Sequence, residues 1–275
     1  HRMGISAGWI SKLGQDEFGQ YIYNFLRGEG VDVSHVRFTS NAQTGIYFIQ
    51  RDYPIPGESV VFYYRNGSAA SQLTHHDLPL AYIQSASIFH TTGITLALSA
   101  SCQSTVSTAI EQAKSSGVTI SFDTNIRRKL WNPDKARTVL LPYLTSCDII
   151  FTDINDSQIL FQEDRPSYAA EKLLTMGAEV VVIKMGAQGA YAATSKGKTA
   201  MKKAYTVPVI DVIGAGDAFD AAFIAGYLQE QDLLHCLEIA NVAGALCVTV
   251  RGDVEAIPTL EDVQRFLERR DYIFR

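Results

Sequence analysis

The sequence predicts an α/β protein with a doubly wound, mainly parallel sheet and a small β appendage in its N-terminal third. Three observations predict it. From about residue 80, short apolar runs alternate with helical patterns, which is the rhythm of β-α-β units. Before residue 70, two runs rich in β-branched and aromatic residues follow each other with no helical pattern between them. Near the C-terminal end, the turn Gly214-Ala215-Gly216 is followed at once by Asp217 and an apolar, alanine-rich stretch.

Taken in order, residues 43–51 and 58–65 read as two strands joined by Tyr53-Pro54-Ile55-Pro56-Gly57, a proline-stiffened connection. Such a pair is too small to hold a core of its own. His75-His76 reads as a helix start. Sheet strands are expected at 86–89, 118–122, 148–152 and 180–184, with helices at 104–115, 134–144 and 168–175. The final helix starts at Thr259, three residues before Asp262 and just after Pro258. That spacing is a capping box.

Of the 275 residues, 47% are hydrophobic and 19% charged, enough to bury a full core in one domain spanning 1–275. The net charge of −5 and the lack of a basic cluster argue against nucleic-acid binding. The four cysteines, Cys102, Cys147, Cys236 and Cys247, are widely spaced. They suggest neither a disulfide framework nor a zinc site, but the reduced thiols of a cytoplasmic protein. No apolar run approaches the ~20 residues of a membrane span, and no signal peptide is visible.

The chemistry points to Asp217. Small residues at a turn leave backbone N–H groups uncovered, and the helix behind them adds its positive dipole end, so anionic oxygens are welcome there. A carboxylate at that spot repels a phosphate, and makes sense as a group that takes a proton from a hydroxyl while the amides hold the phosphate. Locally, an ordinary glycine-rich helix cap explains the run equally well. Other polar residues fall at strand ends, where open α/β sheets bind ligands. Asp123, Asn125 and Arg127 follow the strand at 118–122, Asp153 and Asp156 follow that at 148–152, and Gly186 and Gly189 follow Lys184. Arg127 could grip a carboxylate or phosphate with its planar fork, or pair with Asp134 on the surface. Arg128 and Lys129 read as solvated. Asp153 and Asp156 could be plain capping carboxylates.

Tyr63 and Arg65 are two apart on a strand and therefore share a face. A hydroxyl beside a guanidinium suits a substrate carboxylate, and Tyr47 joins them if the strand register allows. The alternative is a cross-strand aromatic pair that only stiffens the ribbon. Asn241 lies in a small-residue helix, 240–245, that fits close packing or a flat purine. Two lookalikes fail. Gly197-Lys198-Thr199 mimics the end of a phosphate-binding loop, but Ala192 stands where that motif needs its first glycine. Arg251-Gly252-Asp253 is no adhesion signal in a cytoplasmic chain.

The run from Asp211 to Asp217 resembles the signature D-T-T/V-G-A-G-D of the ribokinase-like sugar kinases. The stretches TGIYFIQRDYPIP (44–56), FYYRNGSAAS (62–71), FHTTGITLALS (89–99), FDTNIRRKLW (122–131) and VTVRGDVEAIPTLED (248–262) look like the 2-keto-3-deoxygluconate kinases, especially the archaeal type. The resemblance implies a ribokinase-like three-layer α/β/α fold with a mainly parallel sheet and a small β-sheet lid within about 40–66. It implies ATP and Mg2+ as cofactors, with room for a monovalent cation, and a sugar acid, 2-keto-3-deoxygluconate or its galactose-derived epimer, as substrate. Asp217 would be the general base, with the amides of Gly214, Ala215 and Gly216 on the phosphate. Tyr47, Tyr63, Arg65, Arg127 and Asp253 would serve the sugar acid. Asn125, Asp153, Lys184, Gly186, Gly189 and Asn241 would serve the nucleotide, and Asp156 the metal.

Three departures from that pattern stand out. Val212 and Ile213 replace the usual hydroxyl residues, Asp156 is shorter than the family's glutamate, and the family's opening strand and glycine-rich, asparagine-containing segment are expected to be missing. A kinase for a neutral sugar such as fructose or ribose, and a non-catalytic relative, are the alternatives. An exposed lid edge invites a partner, so a homo-oligomer is expected.

Overall fold

A computed structural model describes residues 1–51, 53–55 and 59–268. Pro56, Gly57 and Glu58, part of the expected lid connection and strand, lie outside the described residues. The chain divides into two compact units, one of residues 6–120 and 126–143, the other of residues 1–5, 121–125 and the chain from Leu144 onward.

The N-terminal unit runs β1 (Ser11–Gly14), α1 (Glu17–Gly28), β2 (Val36–Thr39), β3 (Ile46–Arg51), β4 (Ser59–Tyr64), α2 (Leu80–Gln84), β5 (Ile88–Thr92), α3 (Gly93–Leu98) and α4 (Ala100–Ser115). β6 (Thr119–Asp123) and α5 (Pro133–Leu144) follow, each contributing to both units. β1 and β2 pair in parallel, and β3 and β4 form an antiparallel ribbon. Asp16 fastens the ribbon's entry, because Oδ1 caps α1 through the Gly19 amide at 2.8 Å and Oδ2 accepts the Thr44 amide at 2.7 Å. The histidine pair begins a short 3-10 turn, His75–Asp77, closed by a Thr74–Asp77 capping box.

The C-terminal unit continues with β7 (Ile149–Asp153), α6 (Ile154–Phe161), α7 (Pro166–Thr175), β8 (Val180–Lys184), β9 (Ala190–Thr194), β10 (Thr199–Lys202), α8 (Ala215–Leu228), α9 (Leu233–Cys247) and α10 (Leu260–Glu268). The large sheet has the order β10-β9-β8-β7-β6-β5, and helices flank it. β6, β7 and β8 run parallel, while β9 and β10 turn back antiparallel to close the edge. β7 and β8 each open with an unbroken apolar run, fully buried from Ile149 to Phe151 and from Val181 to Ile183, as expected of strands covered on both faces.

α8 has little amphipathic character because it is covered nearly all round. Its Phe223 ring meets Phe151 of β7 edge-on at 5.4 Å. A Cβ on Gly226 would lie 2.9 Å from Ile239 Cδ1 and 3.1 Å from Cys236 Sγ, so glycine there lets α8 and α9 touch. Fully burying a side chain such as Phe223 stabilises the pair by about 1.5–3 kcal/mol.

The expected strand 180–184 matches β8, those at 118–122 and 148–152 sit one residue early, and that at 86–89 sits two early. The helix at 134–144 matches α5 to within a residue, and the Thr259 capping box forms as expected, with Thr259 N–H to Asp262 Oδ2 at 2.9 Å and Asp262 N–H to Thr259 Oγ1 at 3.2 Å. The hairpin of β9 and β10 has no counterpart among the sequence expectations. Ala190, Ala192 and Ala193 are buried without β-branching, so propensity gives no hint of the strand. Its turn holds Gly197-Lys198-Thr199, with Gly197 at φ +77°, which disposes of the phosphate-loop likeness.

Candidate active site

The Gly214–Asp217 turn belongs to the C-terminal unit. Gly214 stands just before α8 in the left-handed region at φ +80°, with no side-chain cap. The first intrahelical bond runs from the Ala218 amide to the Gly214 carbonyl at 2.9 Å, so the Ala215 and Gly216 amides lie at the open end of the helix. Asp217, in the same turn, is exposed. The turn is held from behind, since Asp211 accepts the Ile213 amide at 3.2 Å and the Gly252 amide at 3.4 Å. A Cβ on Gly214 would fall 2.7 Å from Asp253 Oδ1 and 2.9 Å from the Asp253 carbonyl, which places Asp253 against the glycine turn. Buried Cys247 donates its thiol to the Ile213 carbonyl at 3.6 Å. Burial, with the charges of Asp253, Asp217 and Asp211 adding, pushes that thiol up to about 11.

Gly214→Ala is expected to lose activity and about 1–3 kcal/mol of stability, because alanine resists a positive φ and its methyl meets Asp253. Thermal unfolding and turnover together check this.

Below the turn, Lys184 closes β8 and Asp123 closes β6. Lys184 Nζ donates to Asp123 Oδ2 at 3.0 Å and to Asp220 Oδ2 of α8 at 2.9 Å. Burial alone would lower the Lys184 ammonium, but the Asp123 and Asp220 charges outweigh it and hold the group above its ordinary value. Burial pushes the Asp220 carboxyl well above the usual carboxylate range, against the pull of Lys184. Lys184, assigned to the nucleotide by resemblance, thus already holds two protein carboxylates. Asp220 is not among the residues that the sequence singles out by motif or strand-end position. A signal for it exists all the same: a carboxylate one turn beyond Asp217 on a helix otherwise almost entirely apolar.

Other expected nucleotide groups also have protein partners. Asp153 caps α6 by accepting the Asp156 amide at 2.8 Å. Buried Asp156 accepts the Thr124 hydroxyl at 2.6 Å, and Thr124 lies 2.9 Å from the Thr152 hydroxyl. Asp153 thus caps α6, whereas Asp156 bonds a threonine hydroxyl and caps no helix. Asn241 is buried and donates to the Lys202 carbonyl at 3.1 Å, fastening α9 to β10 as a packing element. Asn125 takes a left-handed φ of +37°, which asparagine tolerates better than most residues. Gly186 and Gly189 bound a short 3-10 turn after β8 at φ +56° and +98°.

The acid-sugar candidates belong to the N-terminal unit. Tyr47 stands directly opposite Tyr63 in the β3–β4 register, with ring centroids 6.2 Å apart. Arg65, just past β4, lies with Cζ 4.0 Å over the Tyr63 ring. Gly45 permits this, since a Cβ there would come within 3.0 Å of Arg65 Cβ. Arg65 Nε and Nη2 are buried and have no hydrogen-bond partner among the described residues. Burial holds the guanidinium below its ordinary value; Tyr63 partly offsets this and the charge of Arg127 adds to it. A guanidinium with two buried nitrogens unbonded among the described residues, with the charge of exposed Arg127 acting on it, suits an anion. Lys129 is exposed, as expected, and donates to the Val61 carbonyl of β4 at 2.6 Å.

A helix start with open amides that carries its own carboxylate and stands in an open α/β fold is suited to phosphoryl transfer. The pattern of the pfkB family carbohydrate kinases matches residues 1–260. The chain belongs to this family, whose members are phosphotransferases with an alcohol group as acceptor. It is similar to the 2-dehydro-3-deoxygluconokinase of Thermoproteus tenax, 43% identical over 96% of this chain and 81% of that protein. It is also similar to that of Bacillus subtilis (strain 168), 36% identical over 97% of this chain and 82% of that one. The crystal structure of a putative ribokinase II from E. coli in complex with ATP and Mg2+ matches with a TM-score of 0.89 at 28% identity, over 98% of this chain and 85% of that one.

Proposed function

We propose that this protein transfers the γ-phosphoryl group of ATP to the terminal hydroxyl of 2-keto-3-deoxygluconate, giving the 6-phospho sugar acid and ADP. The observation that carries the choice of substrate is Arg65, whose buried fork has two nitrogens without partners beside a second arginine. A neutral sugar would leave those groups unpaired at a cost of about 1–3 kcal/mol each, whereas a carboxylate satisfies them. The two similar proteins named 2-dehydro-3-deoxygluconokinase support the same substrate. Its galactose-derived epimer shares the carboxylate and is expected to be accepted too.

In this reaction Asp217 takes the proton of the attacking hydroxyl as the new O–P bond forms and the bond to the leaving ADP oxygen breaks. The amides at the start of α8 stabilise the charge on the transferred group. Tyr47 and Tyr63 flank the acid, and Arg65 and Arg127 hold its carboxylate. Asp253 steadies the glycine turn, while Asn125, Asp153, Lys184, Gly186 and Gly189 frame the strand ends that face the nucleotide. Among the described residues, no group of three or more His, Cys, Asp or Glu side chains could hold a metal, and Asp156 is bonded to Thr124. A hard cation that takes one or two carboxylates beside phosphate oxygens needs no such group, and Asp156 is the carboxylate that would serve it. Mg2+ would enter with ATP and would supply positive charge to the phosphate oxygens. A monovalent cation near the turn would rely on backbone carbonyls, because Val212 and Ile213 offer no hydroxyl. Phosphorus NMR of the product tests the proposal: a monoester on the terminal carbon is expected, and phosphate on any other hydroxyl contradicts it.

The reaction suits a cytoplasmic enzyme, and no helix among the described residues is long and apolar enough to cross a membrane. The protein acts as a homo-oligomer. The ribbon face opposite Tyr47 and Tyr63 exposes Phe48, Phe62 and Tyr64 by 58%, 45% and 64%. Apart from Lys129, whose ammonium lies 5.9 Å from the Phe62 ring centroid, this aromatic patch is uncharged and suits a second copy of itself. Phe48→Glu is expected to sediment as a monomer at concentrations where the parent chain does not; a monomeric parent chain contradicts the assignment.

A further inference from the structure

A buried cluster of three charged side chains lies under the catalytic helix, and the proposed chemistry does not itself require it. Lys184 at the end of β8 reaches past β7 to Asp123 at the end of β6, at 3.0 Å, and up to Asp220 on α8, at 2.9 Å. We propose that Asp123, Lys184 and Asp220 form a positioning bridge that fixes the first turn of α8, and with it Asp217 and the Gly214–Gly216 amides, over the carboxyl ends of β6 and β8. The bridge rests on the phosphoryl-transfer role proposed above for that turn.

Three features carry it. Both carboxylates are 3% exposed, and burying three charged groups demands desolvation that apolar side chains would avoid. Fold stability alone therefore gives little reason for the cluster, whereas a fixed geometry does. Next, the ammonium lies directly beneath the turn, because a Cβ on Gly216 would be 3.7 Å from Lys184 Nζ. Finally, Asp217 and Asp220 are three residues apart on α8 and so share a face. Among the described residues Asp220 Oδ1 has no hydrogen-bond partner, so the side chain is tethered through the bond that Oδ2 accepts from Lys184. Rotation or slippage of α8 breaks the bridge and moves Asp217 with it. Asp123, Lys184 and Asp220 act on the turn through one another and through α8, so they are positioning residues.

The test compares Asp220→Ser, which is too short to reach Lys184, with Asp220→Asn, which keeps the shape and an acceptor for it. Asp220→Ser is expected to lower kcat about tenfold or more, in line with the rate sensitivity to small misplacements, while Kd for ATP stays within about threefold. Hydrogen exchange of the Ala218 amide, which bonds the Gly214 carbonyl, is expected to speed up about tenfold in the same variant. Asp220→Asn restores kcat and exchange to within about threefold of the parent. Equal losses in the two variants, or normal kcat and exchange in Asp220→Ser, would overturn the bridge. If Asp220→Ser does not fold, the comparison is made at the other end with Asp123→Ser and Asp123→Asn. Failure of both serine variants to fold counts against the proposal, since the cluster would then serve folding as a whole. A parent chain without turnover refutes the kinase function, and the Ala218 exchange still decides the bridge.

Discussion

Asp217→Asn is expected to lower kcat by about 10²-fold or more while Kd for ATP stays within about threefold. Asparagine keeps the size and helical position of the side chain but cannot accept the hydroxyl proton at neutral pH. The Ala215 and Gly216 amides at the open end of α8, and the Gly214 turn braced by Asp253 and Asp211, remain to receive phosphate. Removing a negative charge beside them favours nucleotide binding if it changes it at all. Stopped-flow binding of ATP and steady-state ADP release separate the two quantities. Near-normal turnover in this variant sinks the assignment of Asp217 as base.

Arg65→Ala is expected to raise KM for the sugar acid by about 10²-fold, consistent with about 1.5–3 kcal/mol for a hydrogen bond to a charged group, with a smaller effect on kcat. For a neutral sugar the same substitution removes a buried, unmatched guanidinium, so KM for fructose is expected to stay level or fall. The contrast in sign is the informative part. A parallel rise for both sugars would mean that Arg65 supports the ribbon through its stack on Tyr63 and does not recognise the carboxylate.

Much of this was legible in the sequence, for reasons that can be traced to individual residues. The strand at 180–184 could be read because it is a continuous β-branched run, and Tyr63 and Arg65 could be placed together because strand parity is strict. The structure adds that the Tyr47 register fits and that the Arg65 fork is buried over the Tyr63 ring. What could not be read was the pairing of residues distant in sequence. Lys184 bonds one carboxylate 61 positions before it and another 36 after it, and nothing local reveals that. The protein partners of Asn241 and Asp156 escaped for the same reason, since Lys202 and Thr124 lie 39 and 32 positions away from them. β9 escaped because buried alanines resemble helix as readily as strand.

The most direct test of the central claim is a comparison of kcat/KM for 2-keto-3-deoxygluconate with those for fructose and ribose, measured by ADP release at saturating MgATP. A preference for the sugar acid of about 10²-fold or more is expected from the carboxylate held by Arg65 and Arg127. Equal values, or a preference for either neutral sugar, would contradict it.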